Sequence, residues 1–256
     1  MKKNIYNFFQ NFFSIFKLRV TRLYTDKRTL FENILSLKNV LNKSNLSVFE
    51  VEFFEHLLQN FKNSQSEKFQ DLFVDYIMKK KSGFFIEFGC CDGLYLSNTF
   101  FLEKFRGWNG ILIEPSKIYH SDLKKNRDNC KIDFRCVHSI SNDYINFFEN
   151  KFQYNKKNTS NENYQVLTVS LNDIFIENKL ISVDFLSIDT DGSEYEILSN
   201  FNFNKFKVNI FIVEHNYSSS RSKILNLMKK NNYVNIFNDI SAHDDWFVRN
   251  EFLPLK

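Results

Sequence analysis

Residues 84–93 read FFIEFGCCDG, a β-prone apolar run interrupted only by Glu87 and followed by a turn that carries Gly89 and Gly93. Such a run suits a strand buried on both faces of a parallel sheet, and the glycines permit positive φ or close backbone approach where the strand exits. The same rhythm recurs in GILIE (110–114), IDFRCV (132–137), VDFLSID (183–189) and VNIFIVE (208–214), with gaps long enough for crossover helices. Together these runs predict a doubly wound α/β sheet.

The rhythm breaks near the C-terminus, where about seven residues separate YVNIF (233–237) from DWFVR (245–249). No crossover helix fits that gap, so the two runs are expected to pair antiparallel. Five parallel strands plus a terminal antiparallel hairpin is the seven-stranded, Rossmann-like layout of class I methyltransferases. Upstream, residues 1–82 contain neither Gly nor Pro and predict helices at about 5–18, 28–42, 47–60 and 66–81. The expected organisation is a helical N-terminal region over 1–82 and an α/β domain over 83–256. Phe8, Phe9, Phe12, Phe13 and Phe16 recur at helical spacing, as on a helix that packs on its own domain or forms a homodimer.

A chain of 256 residues can bury a real core without disulfides or a structural metal. Its 34 basic and 30 acidic side chains leave a net charge of +4, too thin an excess for a nucleic-acid footprint. Polar residues interrupt the N-terminal apolar run before it is long enough to cross a bilayer, so no transmembrane segment is expected. Cys90, Cys91, Cys130 and Cys136 form no C-x-x-C pair, which suits reduced thiols and a cytoplasmic location. Signatures of phosphate-binding loops, serine nucleophile elbows and zinc helices are absent. DIFIENKL (173–180) reads as a solvated helix face, and His243, Asp244 and Asp245 either line the acceptor pocket or form a polar hairpin turn, and are left out of the site.

The turn after 84–88 selects among ligands. A nicotinamide fingerprint needs glycines at 89, 91 and 94, where this chain has Gly89, Cys91 and Leu94. Glu87 and Asp92 would repel a pyrophosphate but suit a cationic, hydroxyl-bearing ligand such as S-adenosylmethionine. Glu114, at the end of the second run, is placed to accept protons from the two hydroxyls of a ribose.

The stretch FIEFGCCDGLYLSNTFFLEKFRGWNGILIEPS (85–116) closely resembles the cofactor half of the FkbM-type S-adenosylmethionine-dependent methyltransferases. VSLNDIF (169–175) and LSIDTDGSEYEIL (186–198) are similar to two later motifs of that family, with Asp191 in place of a commoner Glu. The resemblance implies that Glu87, Gly89, Asp92 and Gly93 hold the methionine and sulfonium end. It places Ser97, Asn98 and Thr99, in the first turns of a helix beginning near Leu94, against the cofactor carboxylate. Glu114 would bind ribose, Pro115 and Ser116 would border the adenosine, and Val137, His138 and Ser139 would lie near adenine.

Asp189, Asp191, Glu214 and His215 end the fourth and fifth runs, so their side chains are expected at one mouth of the sheet. Two chemistries are open there. In one, His215 or Asp189 removes the acceptor proton, with Asp191 toward the acceptor; in the other, Asp189, Glu214 and His215 hold Mg²⁺ or Mn²⁺. Glu194 reads as a cap of the following helix. The resemblance implies O-methylation of a sugar hydroxyl, on a nucleotide sugar or a surface glycan. The alternatives are another natural-product acceptor, or a non-catalytic cofactor-binding module.

Overall fold

The computed structural model describes residues 46–149 and 162–253. Along the chain come α1 (Val48–Asn60), α2 (Gln70–Met78), β1 (Phe84–Phe88), α3 (Phe100–Arg106), β2 (Asn109–Ile113), α4 (His120–Asn126) and β3 (Lys131–Asp133). Then follow β4 (Cys136–His138), β5 (Tyr144–Glu149), β6 (Glu162–Ser170), α5 (Leu171–Glu177), β7 (Ser182–Ile188), α6 (Glu194–Ser199), β8 (Lys207–Glu214), α7 (Arg221–Lys230), β9 (Tyr233–Ile236) and β10 (Asp244–Arg249). The helices expected at 5–18 and 28–42 lie outside the described residues. Among the described residues, no helix is long and apolar enough to cross a membrane.

Seven strands form one sheet in the order β3-β2-β1-β7-β8-β10-β9. The pairs β1–β2, β1–β7, β2–β3 and β7–β8 are parallel, and β10 runs antiparallel between β8 and β9. This is the class I methyltransferase layout. Successive β1 side chains point to opposite faces. Ile86 and Phe88 join Leu186, Phe211, Phe175, Ile197 and Ile224 in one buried core. Burial of each such side chain stabilises the fold by roughly 1.5–3 kcal/mol.

Two features depart from the sequence reading. First, IDFRCV is two strands: β3 stays in the main sheet, while β4 pairs with β6 in a separate three-stranded sheet ordered β4-β6-β5. Second, DIFIENKL is not a solvated face, because Ile174 and Phe175 of α5 are fully buried. Ser170 caps that helix by accepting the Asp173 N–H at 3.1 Å.

In addition, α2 lies in the same compact unit, Leu57–Lys256, as the sheet. Asp75 of α2 accepts two hydrogen bonds from Arg106, at 2.6 and 2.8 Å. Phe73 packs on Trp246 of β10 with ring centroids 4.7 Å apart. These contacts reward α2 for joining the sheet's domain.

Candidate functional site

β1 leaves the sheet where strand order reverses, between β2 and β7, which is where open parallel sheets bind ligands. Gly89 donates its N–H to the Ile113 carbonyl at 3.0 Å. Its φ is +69°, and a Cβ there would sit 2.4 Å from the Asp189 carbonyl oxygen. Only glycine lets the β1 and β7 exits approach so closely. Gly93 is enclosed from another side, since a Cβ would meet Arg127 Cγ at 2.5 Å. Asp92 shapes the turn, its Oδ1 accepting the N–H groups of Leu94 (2.9 Å) and Tyr95 (2.7 Å).

The helix expected near Leu94 begins only at Phe100, so Ser97, Asn98 and Thr99 lie in the preceding loop. Glu87 is the physical reason. Its buried carboxylate accepts the Asn98 N–H at 2.6 Å, the Ser97 hydroxyl at 3.1 Å and the Thr99 hydroxyl, tying the loop back onto β1. Glu87, Ser97 and Thr99 are 3%, 1% and 0% exposed, so these groups face one another within the protein. Burial pushes the Glu87 carboxyl above its usual range, against the pull of the nearby Arg127 guanidinium.

Sequence reasoning missed Arg127, which follows α4 in a charged stretch that resembles solvated surface. It is fully buried. Its guanidinium donates to the Gly93 carbonyl at 3.1 Å, Ser97 Oγ at 3.0 Å and Thr99 Oγ1 at 2.9 Å, and pairs with Glu103.

Glu114 follows β2 and is 5% exposed. One carboxylate oxygen accepts the Cys91 N–H and the other the Ser116 N–H, both at 2.8 Å. Burial pushes its carboxyl up to about 7. Beside it, the Pro115 carbonyl accepts the Tyr164 hydroxyl at 3.3 Å, and Ser116 Oγ donates to Glu149 at 2.6 Å. Tyr164 and Glu149 come from the β5–β6 pair, which the sequence reading did not identify. Val137 and His138 lie on β4, paired with β6, and not at the exit of β3. Val137 is buried in the core, and His138 Nδ1 faces Ser139 Oγ at 3.3 Å.

At the β7 and β8 exits, the carboxylates of Asp189, Asp191 and Glu214 have oxygens within 4.8 Å of one another. Asp189 keeps solvent contact, yet the protein packed around it and the neighbouring Glu214 push its carboxyl up to about 8. The Glu214 carboxyl is also raised, chiefly by burial. His215 does not join this cluster. Its Nδ1 accepts the Tyr217 N–H at 2.9 Å, and its Nε2 lies 3.9 Å from Asp245, which Arg221 grips through two hydrogen bonds. Burial lowers the His215 pKa, so a neutral ring is held on the far side of its strand end. Of the residues expected to hold a metal, Asp189 and Glu214 come together here with Asp191, and His215 does not.

Glu194 is a structural cap. One of its oxygens accepts the N–H groups of Thr190 (3.1 Å) and Gly192 (2.9 Å).

The site suits S-adenosylmethionine. Asn98 Oδ1 is enclosed without a hydrogen-bond partner, while its amide nitrogen donates to Ser187. Glu114 retains lone pairs for hydroxyl donors. The guanidinium nearest the loop, Arg127, is spent on protein acceptors, so a pyrophosphate would meet carboxylates there.

Residues 87–235, more than half of the chain, match the methyltransferase FkbM domain family. No curated protein matches the chain. Among solved structures, it is similar to an O-methyltransferase from Bacillus cereus in complex with S-adenosylhomocysteine, at 14% identity and TM-score 0.41 over 97% of this chain and 98% of that one. It is also similar to TrmK from M. capricolum in complex with the cofactor product S-adenosyl-homocysteine, at 14% identity and TM-score 0.38, covering 68% of this chain and 65% of that one. Aeropyrum pernix fibrillarin with natively bound S-adenosyl-L-methionine matches at 10% identity and TM-score 0.38, covering 66% of each chain.

Proposed function

The chain belongs to the FkbM methyltransferase family, and on that footing we propose that it methylates a hydroxyl oxygen of a sugar, carried by a nucleotide or within a surface glycan. It is an S-adenosylmethionine-dependent methyltransferase. When bound, S-adenosylmethionine supplies the activated methyl group. The observation that carries the O-methylation reading is the close approach of the Asp189 and Glu214 carboxylates, on the strand ends next to the Gly89 loop. Sugar hydroxyls are weak acids, so transfer to oxygen needs a group that takes a proton.

In this reading Glu114 binds the ribose hydroxyls, and Asn98 Oδ1 accepts from the amino group of the donor. Gly89, Asp92 and Gly93 shape the loop between them. Pro115 and Ser116 border the adenosine, with Tyr164 behind them. Asp189 removes the acceptor proton and shares it with Glu214, while Asp191 orients the acceptor at the rim. Enclosure of His215 with Asp245 speaks for Asp189 as the base.

A second form is favoured by the mutual proximity of three carboxylates. Asp189, Asp191 and Glu214 form an all-oxygen donor set of the kind hard ions prefer, and Mg²⁺ or Mn²⁺ held there would acidify an acceptor hydroxyl. The sugar itself rests on the family resemblance, as do the cytoplasmic location and the N-terminal homodimer on the sequence.

A methyl-transfer screen with isotopically labelled S-adenosylmethionine against nucleotide sugars and glycans tests the proposal. Label entering a sugar with wild type and not with Asp189→Asn supports it. Transfer only to other natural products replaces the acceptor class. Cofactor binding with no transfer to any class leaves a non-catalytic module.

A further inference from the structure

We propose that Arg127 is a positioning residue for the methyl donor: acting through Ser97 and Thr99, it fixes the shape of the 89–99 loop before the donor arrives. The inference rests on the reading that the donor lies between this loop and Glu114.

Arg127 has hydrogen-bond donors only, and each is used. Nε serves Glu103, Nη1 serves the Gly93 carbonyl and Ser97 Oγ, and Nη2 serves Thr99 Oγ1, with Cys130 Sγ at 3.8 Å. Because a guanidinium cannot accept, the Ser97 and Thr99 oxygens must accept from it. Their own protons are thereby directed onward, and both hydroxyls donate to Glu87. The network has one polarity, running from a buried cation through two hydroxyls to a buried anion whose oxygen stands 3.8 Å from Arg127 Nη1.

This network holds the loop at both ends. Gly93 lies at its first turn, whereas Ser97 and Thr99 stand just before α3. Between the two hydroxyl residues, Asn98 has its N–H fixed by Glu87 and its side-chain amide by Ser187. That restraint leaves Asn98 Oδ1 as the enclosed atom without a partner. Loop order established before binding lowers the entropic cost of holding a ligand. Arg127 and Glu87 thus act on the donor without touching it, and ligand contact falls to Asn98 and Glu114.

Calorimetry of the full chain with S-adenosylmethionine and S-adenosylhomocysteine, paired with melting temperatures, tests this. Thr99→Val removes one hydroxyl link with Arg127 retained, and is expected to weaken binding roughly tenfold, the scale of one charge-assisted hydrogen bond. Thr99→Ser restores the hydroxyl and should bind within about twofold of wild type. Arg127→Met should weaken binding further if it folds.

Tyr233→Phe supplies the comparison, because it deletes a buried hydrogen bond to the Val208 carbonyl (2.6 Å) at the other end of the strands. It should lower the melting temperature and leave affinity unchanged. Equal affinities in wild type and Thr99→Val overturn the proposal, as does equal weakening by Thr99→Val and Tyr233→Phe. Glu114→Gln tests the underlying donor location separately. Undiminished binding by that variant refutes the location, whereas its loss alongside wild-type affinity in Thr99→Val refutes the positioning role alone.

Discussion

Asp189 and Glu214 end adjacent parallel strands in register, with Ile188 opposite Val213, and their carboxylate oxygens come within 4.8 Å of each other. Two acids so close cannot both ionise cheaply, and the surrounding protein adds to that cost. The pair therefore retains a proton near neutrality.

As a proton acceptor, the pair works only once that proton has left. Methyl transfer should rise with pH through about 8, the value to which Asp189 is pushed. Asp189→Asn should lower kcat by roughly 10²–10⁴-fold, the usual contribution of general acid–base catalysis, and remove this limb of the pH–rate profile. Retention of the limb in the variant assigns it to another group.

Stability should move in the opposite direction. Glu114, pushed up to about 7, binds a proton in the folded state at pH values where the unfolded chain has released it. Folding stability must therefore fall as pH rises from the ordinary carboxylate range toward 7, and the loss is complete above that point. Glu114→Gln should raise the melting temperature at pH 8 and change it little at pH 5. A variant that melts below wild type at pH 8 would show that the two N–H bonds to the carboxylate outweigh its burial.

The three-carboxylate cluster predicts a metal response. Saturating Mn²⁺ should raise the melting temperature of wild type, since a ligand that binds only the folded state stabilises it by mass action. Asp191→Asn and Glu214→Gln should abolish the rise. An unchanged wild-type melting curve, with activity surviving exhaustive chelation, removes the metal form and leaves Asp189 to act directly.

A strap formed by residues 64–71 links the 89–99 loop to the β10 entrance. Ser66 bridges to Leu96, Glu67 lies 3.2 Å from His243, and Gln70 Nε2 donates to Asp244 Oδ2 at 2.6 Å. Gln70→Leu leaves the buried Asp244 carboxyl without that donor and should cost about 1–3 kcal/mol of stability, measured by urea unfolding. Hydrogen exchange should quicken across 64–71. Unchanged exchange there would show that the bridge and the ion pair hold the strap without Gln70.

Much of this molecule could be read from local pattern. The runs at 84–88, 110–114, 183–189 and 208–214 are mostly apolar because both faces of a central parallel strand are covered, and burial of that kind shows directly in composition. The short gap between the last two runs dictated their antiparallel pairing. Gly89 and the acids at 114, 189 and 214 were legible because strand ends in such a sheet converge on one side.

The β5–β6 pair was less visible, since Tyr144–Glu149 is a half-exposed strand whose pattern is weaker than that of a buried one. Arg127, Glu103 and Glu87 look like three unrelated charges in the chain. Their mutual burial depends on contacts between residues 24 and 40 positions apart, and no local periodicity carries that information. The position of His215 was also set by tertiary structure. A neighbour of Glu214 in sequence points away from it because successive residues at a strand end face opposite sides, and the Asp245–Arg221 pair stands on the side His215 takes. Sequence alone thus determined the strands of the sheet and which acids stand at their ends, through residue type and strand period. The division of labour among its acids was decided by packing, because desolvation and hydrogen-bond partners exist only once distant segments meet.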